Sequence, residues 1–237
     1  MAPGSQERVA GEACLAEDAK GRIGRGQAGP AEERALTRRE RRKREVRNRI
    51  VEAAGELFRL QGYSATRVTE ICDRADVAEK TFFNHFPTKQ DVLSDLAAMA
   101  VGELLMTIES ARKDGRTTAN RIAIFFGRIA ETMATAGPPQ KELVSAIVQV
   151  VHASGETSDD ARKLHEAFAA LVADGLAAGD VTTRHAPETL TEMIIGAYYV
   201  LTFNFVNLEG FAVRQQADAV ARFLADAFRP RPEKETD

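Results

Sequence analysis

Beyond residue 46 of this 237-residue chain, each stretch with a clear hydrophobic period repeats at three and four residues, and none alternates apolar and polar side chains over more than a few positions. Spacing of three and four gathers apolar side chains on one face of a helix, whereas a half-buried strand needs alternation. The pattern predicts an all-α chain. Ile50, Ala54, Leu57 and Phe58 form one stripe, and Gly62 ends a first helix of roughly 47–61. Thr66 stands where it can cap a short second helix, with Val68, Ile71 and Cys72 inward. A third runs from about Ala78 to His85, and Pro87 stops it by removing a donor and restricting the residue before it. Thr88 and Asp91 have the spacing of a capping box for a fourth helix over 88–110. Further helices are predicted over 118–135, 139–153, 158–178, 187–208 and 214–229.

An apolar content of 44% is enough for a core of ordinary size, and the net charge of -3 names no partner. Its distribution is more informative. Residues 1–33 carry four Lys/Arg against six Asp/Glu, residues 34–89 fourteen against eight, and residues 90–237 fourteen against twenty-one, giving -2, +6 and -7. A basic second segment joined to an acidic remainder suggests two jobs, one of them near polyanions. The stretch "RALTRRERRKREVRNRI" from Arg34 reads either as a solvated tail running into a helix or as a basic arm along a phosphate backbone. Two cysteines, Cys14 and Cys72, are too few and too ill-matched for a disulfide framework. The first 33 residues lack the apolar stretch of a secretory signal, and the run Met193 to Val206 is too short to cross a bilayer, so a cytoplasmic protein with no membrane partner is expected. The expected organisation is a disordered leader with a basic arm over 1–45, a reading domain over 46–92, a helical domain over 93–230 and a disordered tail over 231–237.

The stretch "TFFNHFPTK", Thr81 to Lys89, places three phenylalanines beside Asn84 and His85. On a helix Ala78, Phe82 and Phe86 point one way, toward Leu57, Phe58 and Ile71, while Lys80, Phe83 and Asn84 point the other, with Thr81 at the margin. Burial cannot explain Phe83. Two short helices joined by a tight turn, the second presenting Lys, Thr, Asn and an aromatic, fit a helix-turn-helix whose second member enters the major groove. Asn84 can bond a base edge or phosphate, Thr81 and Lys80 can reach phosphate oxygens, and Lys89 adds charge at the start of the fourth helix. A helical hairpin that presents the same side chains only to solvent is the plainer reading.

The order and spacing "AA..LF...GY..T.V..I...A.V...T.F.HF..K", within Ile50 to Leu93, resemble the DNA-binding domain of the TetR family of bacterial transcriptional regulators. The resemblance implies an N-terminal three-helix helix-turn-helix domain followed by a helical ligand-binding and dimerisation domain. Carried onto this chain, it implies phosphate contacts from Thr66 and Lys89, a groove-facing set of Glu79, Lys80 and Phe83, backbone or base contacts from Thr81, Asn84 and His85, and core roles for Phe82 and Phe86. Two positions depart from the family pattern, Asp76 where a turn glycine is usual and Phe83 where a tyrosine is usual.

In the remainder, Leu190, Ile194, Ala197, Leu201 and Phe205 form one apolar stripe and Met193, Tyr198, Tyr199 and Phe203 a second, so this helix needs cover on more than one side. Ala217, Val220, Leu224 and Phe228 repeat the pattern more narrowly. These two helices are expected to form a homodimer interface through Leu190, Ile194, Ala197, Leu201, Phe205, Ala217, Val220, Leu224 and Phe228, unless they close a monomeric core. The resemblance further implies a small-molecule effector, with Phe125, Phe126, Met133, Phe168, Met193, Tyr198 and Phe203 as candidate pocket residues and an apolar or aromatic ligand expected. His152 and His165 fall on separate helices without supporting ligand spacing, so no metal or other cofactor is expected. No phosphate loop or nucleophile elbow suggests an enzyme, and no catalytic residue is assigned. The expected function is a ligand-released repressor that binds a palindromic operator in double-stranded DNA; the alternative is an all-helical protein-protein adaptor.

Overall fold

The computed structural model describes residues 37–153 and 158–230. The expected leader up to residue 36, the tail over 231–237 and residues 154–157 of the "SGETS" separator lie outside the described residues. Among the described residues the chain forms nine α-helices and no strand: α1 Arg38–Gln61, α2 Val68–Ala75, α3 Glu79–His85, α4 Lys89–Asp114, α5 Thr118–Ala134, α6 Pro138–Ala153, α7 Asp159–Ala178, α8 Pro187–Asn207 and α9 Val213–Phe228.

α1 begins earlier than the expected position 47, and the basic stretch is helical from Arg38. Arg and Lys are good helix formers, and Glu40 lies in the first turn, where the helix dipole favours an acid, four residues before Arg44. α4 starts as its spacing predicts. The Asp91 amide donates to Thr88 Oγ1 at 3.2 Å, and the Thr88 amide donates back to Asp91 Oδ2 at 2.8 Å. α2 is capped differently from expectation. Its N-cap is Arg67, because Thr66 is drawn inward, where its hydroxyl donates to the Gly62 carbonyl at 2.7 Å.

The buried side chains fall into two apolar clusters. The first joins α1, α2, α3 and the start of α4 through Ile50, Ala54, Phe58, Ile71, Phe82, Phe86 and Val92, and Leu143 of α6 also belongs to it. The second joins the rest of α4 to α5, α7, α8 and α9 through Ile108, Phe125, Phe168, Leu171, Ile194 and Leu224. α4 therefore passes from one cluster into the other, with Leu96 in the first and Val101 in the second. Burying each large side chain here is worth roughly 1.5–3 kcal/mol, so neither cluster can lose several of them.

The two stripes expected at a dimer interface need correction. Leu190, Ile194, Leu201, Phe205, Ala217, Leu224 and Phe228 are buried in the chain's own second cluster, and Ala197 and Val220 pack against it. α9 lies along α5, and α8 packs on α7, so the inward stripes are already covered. The outward face of α8 carries the apolar surface that stays uncovered: Met193, Tyr199, Val200 and Phe203 are exposed. By length and composition alone α8 could cross a membrane, its 21 residues extending beyond the run read from the sequence, but one face of it is core.

Polar clamps fix the helices around the second cluster. Arg112 of α4 donates to both carboxylate oxygens of Asp174 of α7, at 2.9 and 3.2 Å. The Thr118 amide and hydroxyl, at the start of α5, both donate to Asp180, at 2.9 and 2.7 Å. Gly175 permits this approach: a Cβ there would lie 2.1 Å from Thr118 Oγ1 and 2.4 Å from Val181 Cγ2.

Gly175→Ala is thus expected to cost about 1–3 kcal/mol by overpacking, visible as a lower midpoint in thermal unfolding. The hydrogen bond from Arg112 holds the Asp174 carboxyl below its ordinary value of 3.8, although burial opposes it. A carboxyl lowered by folding contributes stability above its unfolded value and loses that contribution as pH falls through the folded one. Asp174→Asn should therefore lower the unfolding midpoint at neutral pH, with the gap to the native chain closing as pH falls below about 4.

Candidate nucleic-acid interface

Phe82 and Phe86 set the orientation of α3. Both are fully buried, with ring centroids 6.0 Å apart, in the cluster that holds Phe58 and Ile71. Seven residues make barely two turns, so a helix pinned along that edge must turn its other side to solvent. Glu79, Lys80, Phe83 and Asn84 are all exposed on it, Phe83 to 49%, and Thr81 lies half-buried at the margin. Phe83 meets the buried Phe82 edge-on, with centroids 5.3 Å apart, which steadies an aromatic ring that projects into water.

The turn before α3 runs through Asp76, whose φ of 50° and ψ of 58° lie in the left-handed region. Its amide donates to Asp73 O at 3.3 Å, and the Val77 amide donates to Cys72 O at 3.0 Å, closing the end of α2. Asp takes this conformation more readily than most residues with a Cβ, so the turn keeps its shape without the usual glycine.

Arg47 of α1 braces the far end of α3. Its guanidinium lies 4.1 Å from the Phe86 ring centroid, donates to the His85 carbonyl at 3.0 Å, and donates to both oxygens of Asp95 of α4 at 2.8 and 2.7 Å. One side chain thus ties α1, α3 and α4 together. His85 sits half-buried beneath it. Burial, then Lys43 and Arg47, push the imidazole below its ordinary value, and among the described residues its buried Nδ1 has no hydrogen-bond partner.

Two expected phosphate ligands are engaged within the chain. Thr66 is 2% exposed, with its hydroxyl committed to Gly62. Lys89 turns back beneath the α1–α2 loop, where its ammonium donates to the Tyr63 and Thr66 carbonyls at 2.7 and 2.8 Å and lies 4.4 Å from the Tyr63 ring centroid. Burial lowers its pKa, with Glu142 and Glu70 pulling the other way. Sequence spacing placed both residues near the loop but could not show that loop carbonyls claim them first. Arg47 was missed as a brace, since a cation within a basic run carries no local mark of its partners.

The candidate pocket aromatics separate into two groups. Phe125, Phe126 and Phe168 are fully buried and meet edge-on, with centroids 5.1 and 5.2 Å apart; they are core. Met133 borders an open hollow of about 450 Å³ beside Lys141, Phe211 and Arg214, and Met193 is 53% exposed. Tyr198 and Phe203 do face space. A cleft of about 480 Å³ opens between α6 and α8, lined by Ser145, Val148 and Gln149 on one side and Tyr199, Phe203 and Val206 on the other. A smaller chamber of about 70 Å³, walled by Tyr198, Leu104 and Leu164, adjoins it through Val148, Tyr199 and Thr202. Among the described residues no charged side chain lines either space. Among the described residues no cluster of three or more His, Cys, Asp or Glu could hold a metal ion; His165 instead lies 3.2 Å from Glu192.

A pinned recognition helix after a tight turn, beneath a larger helical body, defines a helix-turn-helix protein. Residues 50–96 match the model of the family described as bacterial regulatory proteins, tetR family. That match spans α2 and α3 with the parts of α1 and α4 that flank them, and over it the chain is similar to the DNA-binding part of that family. It is 41% identical over 54 residues to the HTH-type transcriptional regulator TcmR of Streptomyces glaucescens, a match covering 23% of this chain and 24% of that protein. Across the curated relatives it matches, the chain spans 24–65% of their lengths. Its fold is similar to a TetR-family regulator from Pectobacterium atrosepticum, with a TM-score of 0.69 at 19% identity over 84% of this chain and 100% of that one. It is also similar to Thermus thermophilus FadR, a TetR-family repressor in complex with lauroyl-CoA, with a TM-score of 0.57 at 23% identity over 79% of this chain and 98% of that one. At those identities the likeness bears on the fold.

Lys89→Ala removes the donor to two loop carbonyls and is expected to cost about 1–3 kcal/mol of stability. It should leave the salt dependence of any DNA association unchanged, as a titration at several salt concentrations would reveal.

Proposed function

We propose that the chain is a cytoplasmic, sequence-specific DNA-binding repressor that acts as a homodimer on a palindromic operator and is released by a small molecule. The observation that carries this reading is the α3 face, where Lys80, Phe83 and Asn84 stand exposed on a helix pinned from behind by Phe82 and Phe86. Lys80 supplies a phosphate contact, Asn84 a bidentate partner for a base edge, and Phe83 an apolar contact for a thymine methyl or sugar. The exposed basic side chains of α1 from Arg38 to Arg44 extend the positive surface toward the backbone. An adaptor would need the same face to prefer a peptide.

One α3 reads few bases, and a dyad supplies a second copy. The dimer surface we assign is the outward stripe of Met193, Gly196, Val200 and Phe203 on α8, continued by Phe223 of α9, which is 72% exposed. It is apolar, and Gly196 leaves open space for a partner helix. The effector site we assign is the uncharged cleft between α6 and α8, whose size suits an apolar or aromatic molecule with few polar groups. The lauroyl-CoA of the Thermus protein is that protein's ligand and is not carried to this chain.

Duplexes selected from random sequence should yield a palindrome, with affinity falling steeply as salt rises. Lys80→Ala is expected to lower the salt slope by about one and weaken binding evenly across sequences, and Asn84→Ala to cost about 1–3 kcal/mol and relax preference at one position of each half-site. Equal binding to scrambled duplexes would refute sequence readout. Val200→Glu combined with Phe203→Glu should yield a monomer in sedimentation velocity without loss of helix content.

A further inference from the structure

α6 has two working faces. Leu143 is buried in the cluster that carries α1, α2 and α3, and Ala146, Ile147 and Val150 pack against that cluster. Val148, with Ser145 and Gln149, lines the cleft toward α8. α8 is the fixed wall of that cleft, because Ile194, Leu201 and Phe205 root it in the second cluster. An occupant that widens the cleft therefore displaces α6, and α6 moves against the reading domain.

One polar contact gives that displacement a specific target. Glu142 of α6 reaches the loop between α1 and α2, where its Oε1 accepts a hydrogen bond from the Ser64 amide at 2.7 Å, across a sequence separation of 78 residues. The loop backbone hugs this carboxylate closely. Gly62 has φ +91°, and a Cβ on it would stand 2.2 Å from Glu142 Oε2. From below, the Lys89 ammonium holds the carbonyls of Tyr63 and Thr66. The segment that sets the start of α2 is thus bracketed by a cation from α4 and an anion from α6, and α6 also lines the cleft.

We propose that Glu142 is the positioning residue through which the α6–α8 cleft governs the DNA-reading helices, by holding or releasing the Ser64 amide. The proposal rests on the reading of the cleft as an effector site. It assigns the coupling to a single carboxylate rather than to general packing.

A bulky side chain at Val148 serves as a surrogate occupant, so no effector need be known. In the full chain, Glu142→Ala should raise hydrogen exchange at the Ser64 amide by about tenfold or more, and Glu142→Gln, which keeps an acceptor oxygen, should restore most of the protection. Val148→Phe should raise exchange at the same amide in the native background and leave it unchanged in Glu142→Ala. On the selected duplex, Val148→Phe should weaken binding about tenfold alone and less than twofold with Glu142→Ala. Ser145→Leu provides a second occupant should Val148→Phe fail to fold. Unchanged exchange in Glu142→Ala, or equal effects of the occupant in both backgrounds, would overturn the proposal. A chain that bound no duplex would defeat the repressor reading instead, while the exchange comparison still decided the role of Glu142.

Discussion

Everything presented on α3 depends on the burial of Phe82 and Phe86. A two-turn helix has little stability of its own, and its backbone bonds alone cannot hold it in one rotation. Two rings driven into the cluster around Phe58 and Ile71 supply both the stability and the rotation. Once they are in place, Lys80, Phe83 and Asn84 have no inward position left. The Arg47 guanidinium, lying on Phe86 and bonded to the His85 carbonyl and to Asp95, then fixes the end of the helix against two longer ones.

That anchoring joins α1, α2, α3 and the start of α4 in one packed cluster. α4 crosses between the two apolar clusters, and α6 contributes Leu143 to the first while lining a cleft against the second. Glu142 and Lys89 converge on one loop from opposite sides. A packed cluster does not deform gradually, so under the proposed coupling a small displacement of α6 would act on the first cluster as a whole.

Much of this was legible in the chain itself. The capping pair Thr88 and Asp91 forms as spaced, Pro87 follows α3, and the division of Phe82 and Phe86 from Phe83 is what a period of 3.6 requires. Thr66 and Lys89 show where local pattern stops. Each has the chemistry of a phosphate ligand, and each is claimed by a nearby carbonyl whose position no local pattern reveals. The stripes of α8 and α9 show the same limit. Leu190 and Phe228 are apolar at helical spacing whether a neighbour in the chain or a second copy covers them, and here the neighbour does.

The sequence alone determined the helical class, the helix boundaries to within a few residues except at the start of α1, and which side of α3 faces outward, because these follow from periodicity, caps and stops acting over a handful of residues. The tertiary structure decided which apolar face remained uncovered, where a cleft opened and which charged groups were already engaged. Those outcomes depend on contacts between residues far apart in the chain, and competition among distant partners leaves no trace in local spacing.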